Sequence, residues 1–178
     1  RNSADQIAQS TFTTINSRLL HGESVRDLPV ELLDRLAAEA EPMPLYHDWL
    51  LLKRSLDDRD FDQVGEYFEK MRERFSGYDS LKQKAMADLF ALADAEWLFS
   101  KAWSVGNPAV LDAFDAKKPA FWYAPHMAPR LRALAAALRG DRDAAHKQLA
   151  LSRRYAEGAI DPSLRAELVA IQVARGKA

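Results

Sequence analysis

Apolar residues recur at intervals of three and four positions along almost the whole chain, and this spacing restricts the fold more than any other feature. Such intervals place the residues on one face of an α-helix. Clear series are Leu45, Trp49, Leu52 and Leu56; Phe61, Val64, Phe68 and Met71; and Leu164, Leu168 and Ile171. No run of four or more residues combines strict alternation with the β-branched enrichment of strands. The sequence therefore predicts an all-α fold.

Signals for helix starts and helix ends divide this pattern into nine predicted helices. Asn or Asp before Pro marks a helix start, Ser-x-x-Gln has the spacing of a capping box, and Gly follows helix ends. These signals are Asn107-Pro108, Asp161-Pro162, Ser80 with Gln83, His21-Gly22 and Arg139-Gly140. The predicted helices are 4–21, 29–40, 44–57, 60–75, 80–104, 108–116, 125–139, 142–158 and 162–175. Because most links are short, neighbouring helices are expected to lie antiparallel, as hairpins.

The predicted helix 80–104 is apolar over most of its circumference. Its large apolar residues are Met86, Leu89, Phe90, Leu92, Trp97, Leu98 and Phe99. A helix that is apolar on several sides packs against several neighbours. We therefore expect it to be the central helix, with Asp94 and Lys101 on its solvent side.

The composition is that of one globular domain. The chain has 178 residues, of which 48% are apolar and 29% charged. We expect a single α-helical domain over residues 1–178, with an irregular N-terminal cap over 1–43 and hairpins over 44–178. The absence of cysteine excludes disulfides and Cys-ligated metal sites. No segment reaches the ~20 apolar residues that span a bilayer, so direct membrane insertion is not expected.

Charge is divided unevenly along the chain, although the formal net charge is only −1. Residues 1–125 carry 15 basic and 21 acidic side chains, whereas residues 126–178 carry 10 basic and 5 acidic ones. The near-zero net charge argues against nucleic acid as a partner. The asymmetry favours an oriented protein partner or a homo-oligomer; random scatter is the alternative explanation.

Two glycines, Gly106 and Gly140, each stand between the end of one predicted helix and the start of the next. They are 34 residues apart. A fixed period of this length indicates repeated helical hairpins, and 34 residues is the period of the tetratricopeptide repeat.

The stretch 131–155 resembles one tetratricopeptide repeat. Small alanines fill its first helix, and Ala145, Leu149 and Ser152 stand at the family's small–large–small positions. The stretch 60–71 is similar to a second copy. The resemblance implies a right-handed stack of antiparallel helical hairpins with an extended binding surface for a protein partner.

A second resemblance concerns the stretch that begins at Pro44-Leu45-Tyr46. This tripeptide, a helix, an acidic turn and then Val64 and Phe68 are similar to the helical superhelix of soluble lytic transglycosylases. The catalytic lysozyme-like domain of that family is absent from this sequence. This resemblance therefore also implies a non-catalytic scaffold.

Residues that could carry catalysis form no recognised motif. The four histidines, His21, His47, His126 and His146, include no His-Glu-x-x-His and no i, i+4 pair. No phosphate-binding glycine loop and no Gly-x-Ser-x-Gly is present. We expect no metal, no cofactor and no enzymatic activity.

An enzyme that uses Asp88 and Glu96 is an alternative. These carboxylates are eight positions apart on the predicted helix 80–104, roughly on one side of it. Desolvation there would raise the pKa of both groups and suit them to general acid–base work. Core carboxylates bound to partners within the fold are the other interpretation.

The most unusual stretch is 119–127, where three consecutive aromatic residues are bounded by prolines. Three adjacent rings cannot all face one core, and Trp, Tyr, Met and Arg are enriched in interface cores. The candidate partner-binding residues are Phe121, Trp122, Tyr123, His126, Met127 and Arg130. The alternative is a packing role between the hairpins on either side.

These features together predict a non-catalytic protein–protein interaction scaffold or adaptor. Ala, Arg, Leu and Asp usage favours a bacterial source. The chain begins with Arg1, from which we expect a processed or partial chain, with removal of a signal or anchor left open. We expect the soluble part of a membrane-associated assembly, on the cytoplasmic rather than the periplasmic side. A small self-associating helical module, of an assembly or immunity type, remains an alternative.

Overall fold

The computed structural model describes residue 10 and residues 13–15, 17–18, 25–38, 43–114 and 124–155. Every regular element within these ranges is a helix, and no strand occurs in them. The predicted all-α class is thereby confirmed.

Six α-helices and one 3-10 helix follow one another from residue 30 onwards in the described ranges. They are α1 (Val30–Ala37), α2 (Met43–Asp57), α3 (Phe61–Ser76), α4 (Ser80–Val105), the 3-10 helix (Pro108–Ala113), α5 (Met127–Arg139) and α6 (Arg142–Tyr155). The α-helices agree with the predicted spans to within a few residues. The predicted helix 162–175 and most of 4–21 lie outside the described residues, so the total of nine helices stays a prediction.

Two local predictions need correction. The helix predicted over 108–116 is a 3-10 helix that ends at Ala113; such helices are seldom longer than a few residues because their hydrogen bonds are poorly aligned. The predicted cap at Ser80 is displaced, since Asp79 Oδ1 accepts the bond from Lys82 N at 2.8 Å. Gln83 instead donates through its side chain to Phe75 O at 3.3 Å.

Helix α4 is the centre of the fold, as its apolar circumference predicts. It contacts α2, α3, α5 and the 3-10 helix. Its buried apolar side chains, Leu89, Leu92, Leu98 and Phe99 among them, belong to one continuous core with those of the other helices. Asp94 is half-buried and Lys101 is exposed, so the predicted solvent side is also found.

The pairs α2–α3 and α5–α6 form antiparallel hairpins, and α4 pairs with the 3-10 helix. Helix α1 packs on α2. The segment before α1 is fixed by Val25, which is buried and whose backbone N donates to Asp57 Oδ2 at 3.0 Å.

None of the helices in the described part of the chain is both long enough and apolar enough to cross a membrane.

The three hairpin turns have the same backbone geometry. In each hairpin the first helix (α2, α4 or α5) is followed by a residue in the left-handed conformation. These residues are Arg59 (φ 62°), Gly106 (φ 64°) and Gly140 (φ 80°). The amide of the next residue donates to the carbonyl five positions back, which completes the helix end. These bonds are Asp60 N to Ser55 O (2.9 Å), Asn107 N to Ala102 O (3.2 Å) and Asp141 N to Ala136 O (2.9 Å). Positions in the three hairpins can therefore be counted from the left-handed residue, and this count defines a common register.

The second helix of each hairpin also starts in the same way. The residue after the left-handed position caps the new helix with its side-chain oxygen. Asp60 accepts from Gln63 N (3.1 Å), Asn107 from Ala109 N (3.0 Å) and Asp141 from Ala144 N (3.0 Å). The predicted Asn107-Pro108 start and the predicted helix ends at Gly106 and Gly140 are confirmed. The predicted signals His21-Gly22 and Asp161-Pro162 lie outside the described residues. The turn at Arg59 is a third copy, in which arginine occupies the place of glycine.

In this register the second helices bury equivalent positions, five, nine and twelve residues after the left-handed residue. These positions are Val64, Phe68 and Met71 in α3 and Ala145, Leu149 and Ser152 in α6, and all six are buried. The successive left-handed residues are separated by 47 and 34 positions. The 34-residue spacing thus holds only for the second interval, and α4, with 26 residues, is twice as long as α5, with 13.

Candidate functional site

The predicted partner-binding stretch divides into two parts. Phe121, Trp122 and Tyr123 lie outside the described residues. The other three candidates are buried, with exposed fractions of 1% for His126, 2% for Met127 and 5% for Arg130. A partner on the surface of this fold would not touch these three side chains, so the structure assigns them to the interior. The backbone there is fixed by Ser152 Oγ, which donates to His126 O at 3.0 Å.

Arg130 is buried because α4 supplies a carboxylate to meet it. Its Nη1 lies 2.5 Å from Oε1 and 2.6 Å from Oε2 of Glu96. The guanidinium also lies over the ring of Phe99, at 4.2 Å from the ring centroid. Glu96 and Arg130 each precede the left-handed glycine of their hairpin by ten positions, so they stand at equivalent places on adjacent first helices.

Helix α2 adds a second cation to this carboxylate. Lys53 Nζ lies 3.8 Å from Glu96 Oε1 and 3.5 Å from Asp57 Oδ1. Lys53, Asp57 and Glu96 are only 4%, 4% and 3% exposed. We call Lys53, Asp57, Glu96 and Arg130 the buried charge network. It joins the first helices of all three hairpins, because α2, α4 and α5 each contribute to it.

The electrostatics of Glu96 differ from the sequence expectation. Burial opposes its ionisation, but the charges of Arg130 and Lys53, a hydrogen bond from Arg130 and the charge of His126 together lower its pKa below the usual 4.5. The expected rise of the pKa is therefore wrong for Glu96. A buried carboxylate that is stabilised as an anion is poorly suited to donate a proton near neutral pH.

Asp88 and Glu96 do not form a matched pair. Asp88 is half-buried, whereas Glu96 is buried among cations. Two helical turns separate them, about 12 Å along the axis. An open depression of about 530 Å³ occurs elsewhere and contains neither carboxylate; its lining is Ser10, Thr13, Thr14, Ser17 and Arg18. No cluster that could hold a metal ion occurs among the described residues.

The first helices expose equivalent positions as well. Twelve positions before the left-handed residue, His47, Asp94 and Ala128 are all half-buried; one position before it, Asp58, Val105 and Arg139 are all exposed. We define the first-helix face as these residues together with Met43 and Arg54 of α2, Phe90 and Lys101 of α4, and Arg132 of α5. The face combines apolar and basic side chains with two acidic ones, Asp58 and Asp94.

Trp97 borders this face and is held in place by its neighbours. Its ring stacks on Phe68 of α3, with centroids 4.7 Å apart and planes 9° from parallel. Lys101 Nζ lies 4.9 Å from the Trp97 centroid. Phe68 and Phe75 of α3 also stack on Phe90, at 5.7 and 4.4 Å. Offset aromatic stacks and cation–π contacts of this kind reduce side-chain freedom at a half-buried surface.

No sequence motif predicts the buried charge network, although the sequence contains one signal for it. Glu96 and Arg130 are 34 residues apart, as are Gly106 and Gly140. Opposite charges at that interval would be expected to meet if adjacent hairpins repeat. Lys53 offers no such signal, because the first interval is 47 residues long.

Comparison with known proteins identifies no relative: no family model, no curated protein and no solved structure matches this chain.

Proposed function

We propose that this chain is a stack of tetratricopeptide-like helical hairpins that serves as a non-catalytic scaffold for a protein partner. The observation that carries the proposal is the identical turn at Arg59, Gly106 and Gly140. A turn that recurs with the same backbone hydrogen bond, followed each time by a capping residue, supports an interpretation of the hairpins as repeated units. Stacked units of this kind present extended binding surfaces.

The helix contacts support a continuous stack. Each first helix contacts the next one, since α4 packs on both α2 and α5. Each second element also contacts the following first helix, as α3 does with α4 and the 3-10 helix does with α5. In repeat proteins each unit contacts only its neighbours, and the main contacts between the described helices follow that rule. The soluble part of a bacterial membrane-associated assembly remains the setting that we propose.

The surface that we propose for the partner is the first-helix face beside Trp97. Tryptophan and arginine dominate the binding energy of protein interfaces, above all where the side chain is already ordered. Trp97 is half-buried and stacked, and Lys101 lies over it. This surface replaces His126, Met127 and Arg130 as the proposed contact region, because those side chains are interior. Phe121, Trp122 and Tyr123 stay candidates.

The test compares two lysines in matched surroundings. Lys101 lies over the half-buried ring of Trp97 at 4.9 Å, and Lys70 lies over the half-buried ring of Tyr67 at 5.0 Å. Lys101 belongs to the first-helix face, whereas Lys70 belongs to the second helix α3. The purified chain and its Lys101→Glu and Lys70→Glu variants are immobilised and exposed to an extract of the source cells, and retained proteins are quantified by mass spectrometry.

We expect a protein that the wild type and Lys70→Glu retain equally and that Lys101→Glu retains about tenfold less, which is a change of about 1.4 kcal/mol in binding free energy. Circular dichroism should show unchanged helicity in both variants. Equal retention by all three chains would reject the proposed surface. Failure of the folded wild type to retain any protein would argue against the scaffold function.

A further inference from the structure

The outward face of α3 is an unbroken acidic stripe. Asp62, Glu66, Glu69 and Glu73 follow one another at intervals of four, three and four, and all four side chains are exposed. These intervals place them on one face of the helix. The stripe extends about 16 Å along the helix axis, at about 1.5 Å per residue.

The cations that flank this stripe are already engaged by the chain itself. Arg72 pairs with Glu69, and Arg74 Nε lies 3.5 Å from Asp48 Oδ2 of α2. Lys70 lies over the ring of Tyr67. Glu66 and Glu73 are exposed and form no ion pair with another residue in the described part of the chain.

Helix α6 presents the opposite charge. Arg142, Lys147, Arg153 and Arg154 are all exposed, and Asp143 is the one acidic residue of this helix. No ion pair joins any of the four cations to another residue in the ranges that the structure describes. The favourable position of Arg153 and Arg154 at the C-terminus of α6 accounts for these two residues, but not for Lys147 or Arg142 at earlier turns.

The two charged faces occupy equivalent places in their hairpins. Glu66 in α3 and Lys147 in α6 both lie seven positions after the left-handed residue of their hairpin. Glu73 in α3 and Arg154 in α6 both lie fourteen positions after it. The first and last hairpins thus carry opposite charges at matched heights. In the hairpin stack on which this inference rests, second helices lie on one side of the molecule.

We propose that this side is a dimer interface, at which α3 of one copy faces α6 of a second copy. A two-fold axis parallel to the helices places Glu66 of one copy opposite Lys147 of the other, and Glu73 opposite Arg154. Because of the symmetry, each of these pairs forms twice. Such an interface is self-complementary and closes at two subunits. A second copy fits better than another acidic protein, because both halves of the complementarity are present on one chain with the same spacing.

Salt dependence follows directly from this geometry. Pairs between exposed charges are individually weak and are screened by salt. The Debye length falls from about 30 Å at 0.01 M to about 3 Å at 1 M ionic strength. The dimer is therefore a low-affinity species that forms at low salt and high protein concentration.

Sedimentation velocity on the full chain tests the proposal. At about 0.01 M salt the weight-average sedimentation coefficient should rise with protein concentration, and at about 1 M salt it should not. The doubly substituted Glu66→Lys, Glu73→Lys chain and the doubly substituted Lys147→Glu, Arg154→Glu chain should each remain monomeric at low salt. An equimolar mixture of the two should recover the dimer, because each reversed α3 then meets a reversed α6.

The outcomes separate this proposal from the scaffold function. Lys101→Glu, on the first-helix face, should leave dimerisation unchanged even though it impairs partner capture. A wild type that is monomeric at low salt up to the solubility limit would overturn the dimer. So would a mixture of the two folded variants that stays monomeric. If a lysine or glutamate variant loses helicity, the neutral Glu66→Gln, Glu73→Gln chain should still weaken the association.

Discussion

The first hairpin (α2 and α3) and the last hairpin (α5 and α6) join the central helix α4 by different chemistry. The first meets α4 largely through stacked rings, with Phe68 on Trp97 at 4.7 Å, and adds only the longer Lys53–Glu96 ion pair at 3.8 Å. The last meets α4 through a buried ion pair, Arg130 with Glu96. Both hairpins nevertheless have the same turn geometry, and their second helices bury equivalent positions. The hairpins are therefore alike in turn geometry and in the positions that their helices bury, whereas the contacts between hairpins differ from one junction to the next.

The largest effect should come from removal of the cation at the ionic junction. Arg130→Met leaves Glu96 buried with Lys53 as its remaining counter-ion, and loss of one partner of a buried pair typically costs about 3–5 kcal/mol. Urea denaturation should show this loss of unfolding free energy. The Arg130→Met, Glu96→Met double variant should recover most of it, because both charges are gone. A double variant as unstable as the single one would show that packing, not charge, holds this junction.

Acidification should weaken the same junction by a smaller amount, since a protonated Glu96 can still accept a hydrogen bond from Arg130. The pKa of Glu96 is lower in the folded chain than its usual 4.5. Its contribution to stability is therefore complete above the unfolded value and is lost as the pH falls through the folded pKa. Denaturation of the wild type and Glu96→Gln between pH 7 and pH 3 should show a steeper loss for the wild type. Parallel curves would contradict an ionised Glu96 in the fold.

The smallest effects should come from substitutions of the left-handed residue in the first and last hairpin turns. Gly140→Ala places a side chain at φ 80° and should cost about 1 kcal/mol, although the site has open space around it. Arg59→Gly relieves the same strain in the first hairpin but removes the guanidinium from the Trp103 ring at 5.3 Å, so the net change should be within about 0.5 kcal/mol of zero. Thermal denaturation of both variants measures the difference. A clear loss in Arg59→Gly would mean that the contacts of the guanidinium, with the Trp103 ring and with Asp57 O at 2.8 Å, outweigh the strain.

Much of the helical pattern follows from the sequence, because its signals are local. The spans of α2 to α6, the central position of α4 and the glycine turns at Gly106 and Gly140 agree with the structure. Glycine made two turns recognisable, but the equivalent turn at Arg59 was not, since arginine is rarely left-handed. The 3-10 helix was also missed, because its capping residues, Asn107 and Pro108, equally begin an α-helix.

The candidate site was predicted less well. His126, Met127 and Arg130 were expected at a partner interface, yet all three are buried. An arginine in a largely apolar stretch indicates a surface position unless its counter-ion is known. Here the counter-ion, Glu96, comes from a different helix and was interpreted as a separate candidate.

The sequence by itself determined the helices and their hairpin turns, because periodicity, capping and backbone conformation depend on residues a few positions apart. Only the tertiary structure decided which charges are interior. A charge can be buried only where an opposite charge offsets the loss of hydration, and Lys53, Glu96 and Arg130 are brought together from three helices. The same division holds for the uneven charge of the chain. The sequence shows that the first part is acidic and the last part basic, but the arrangement of these charges on α3 and α6 depends on the fold.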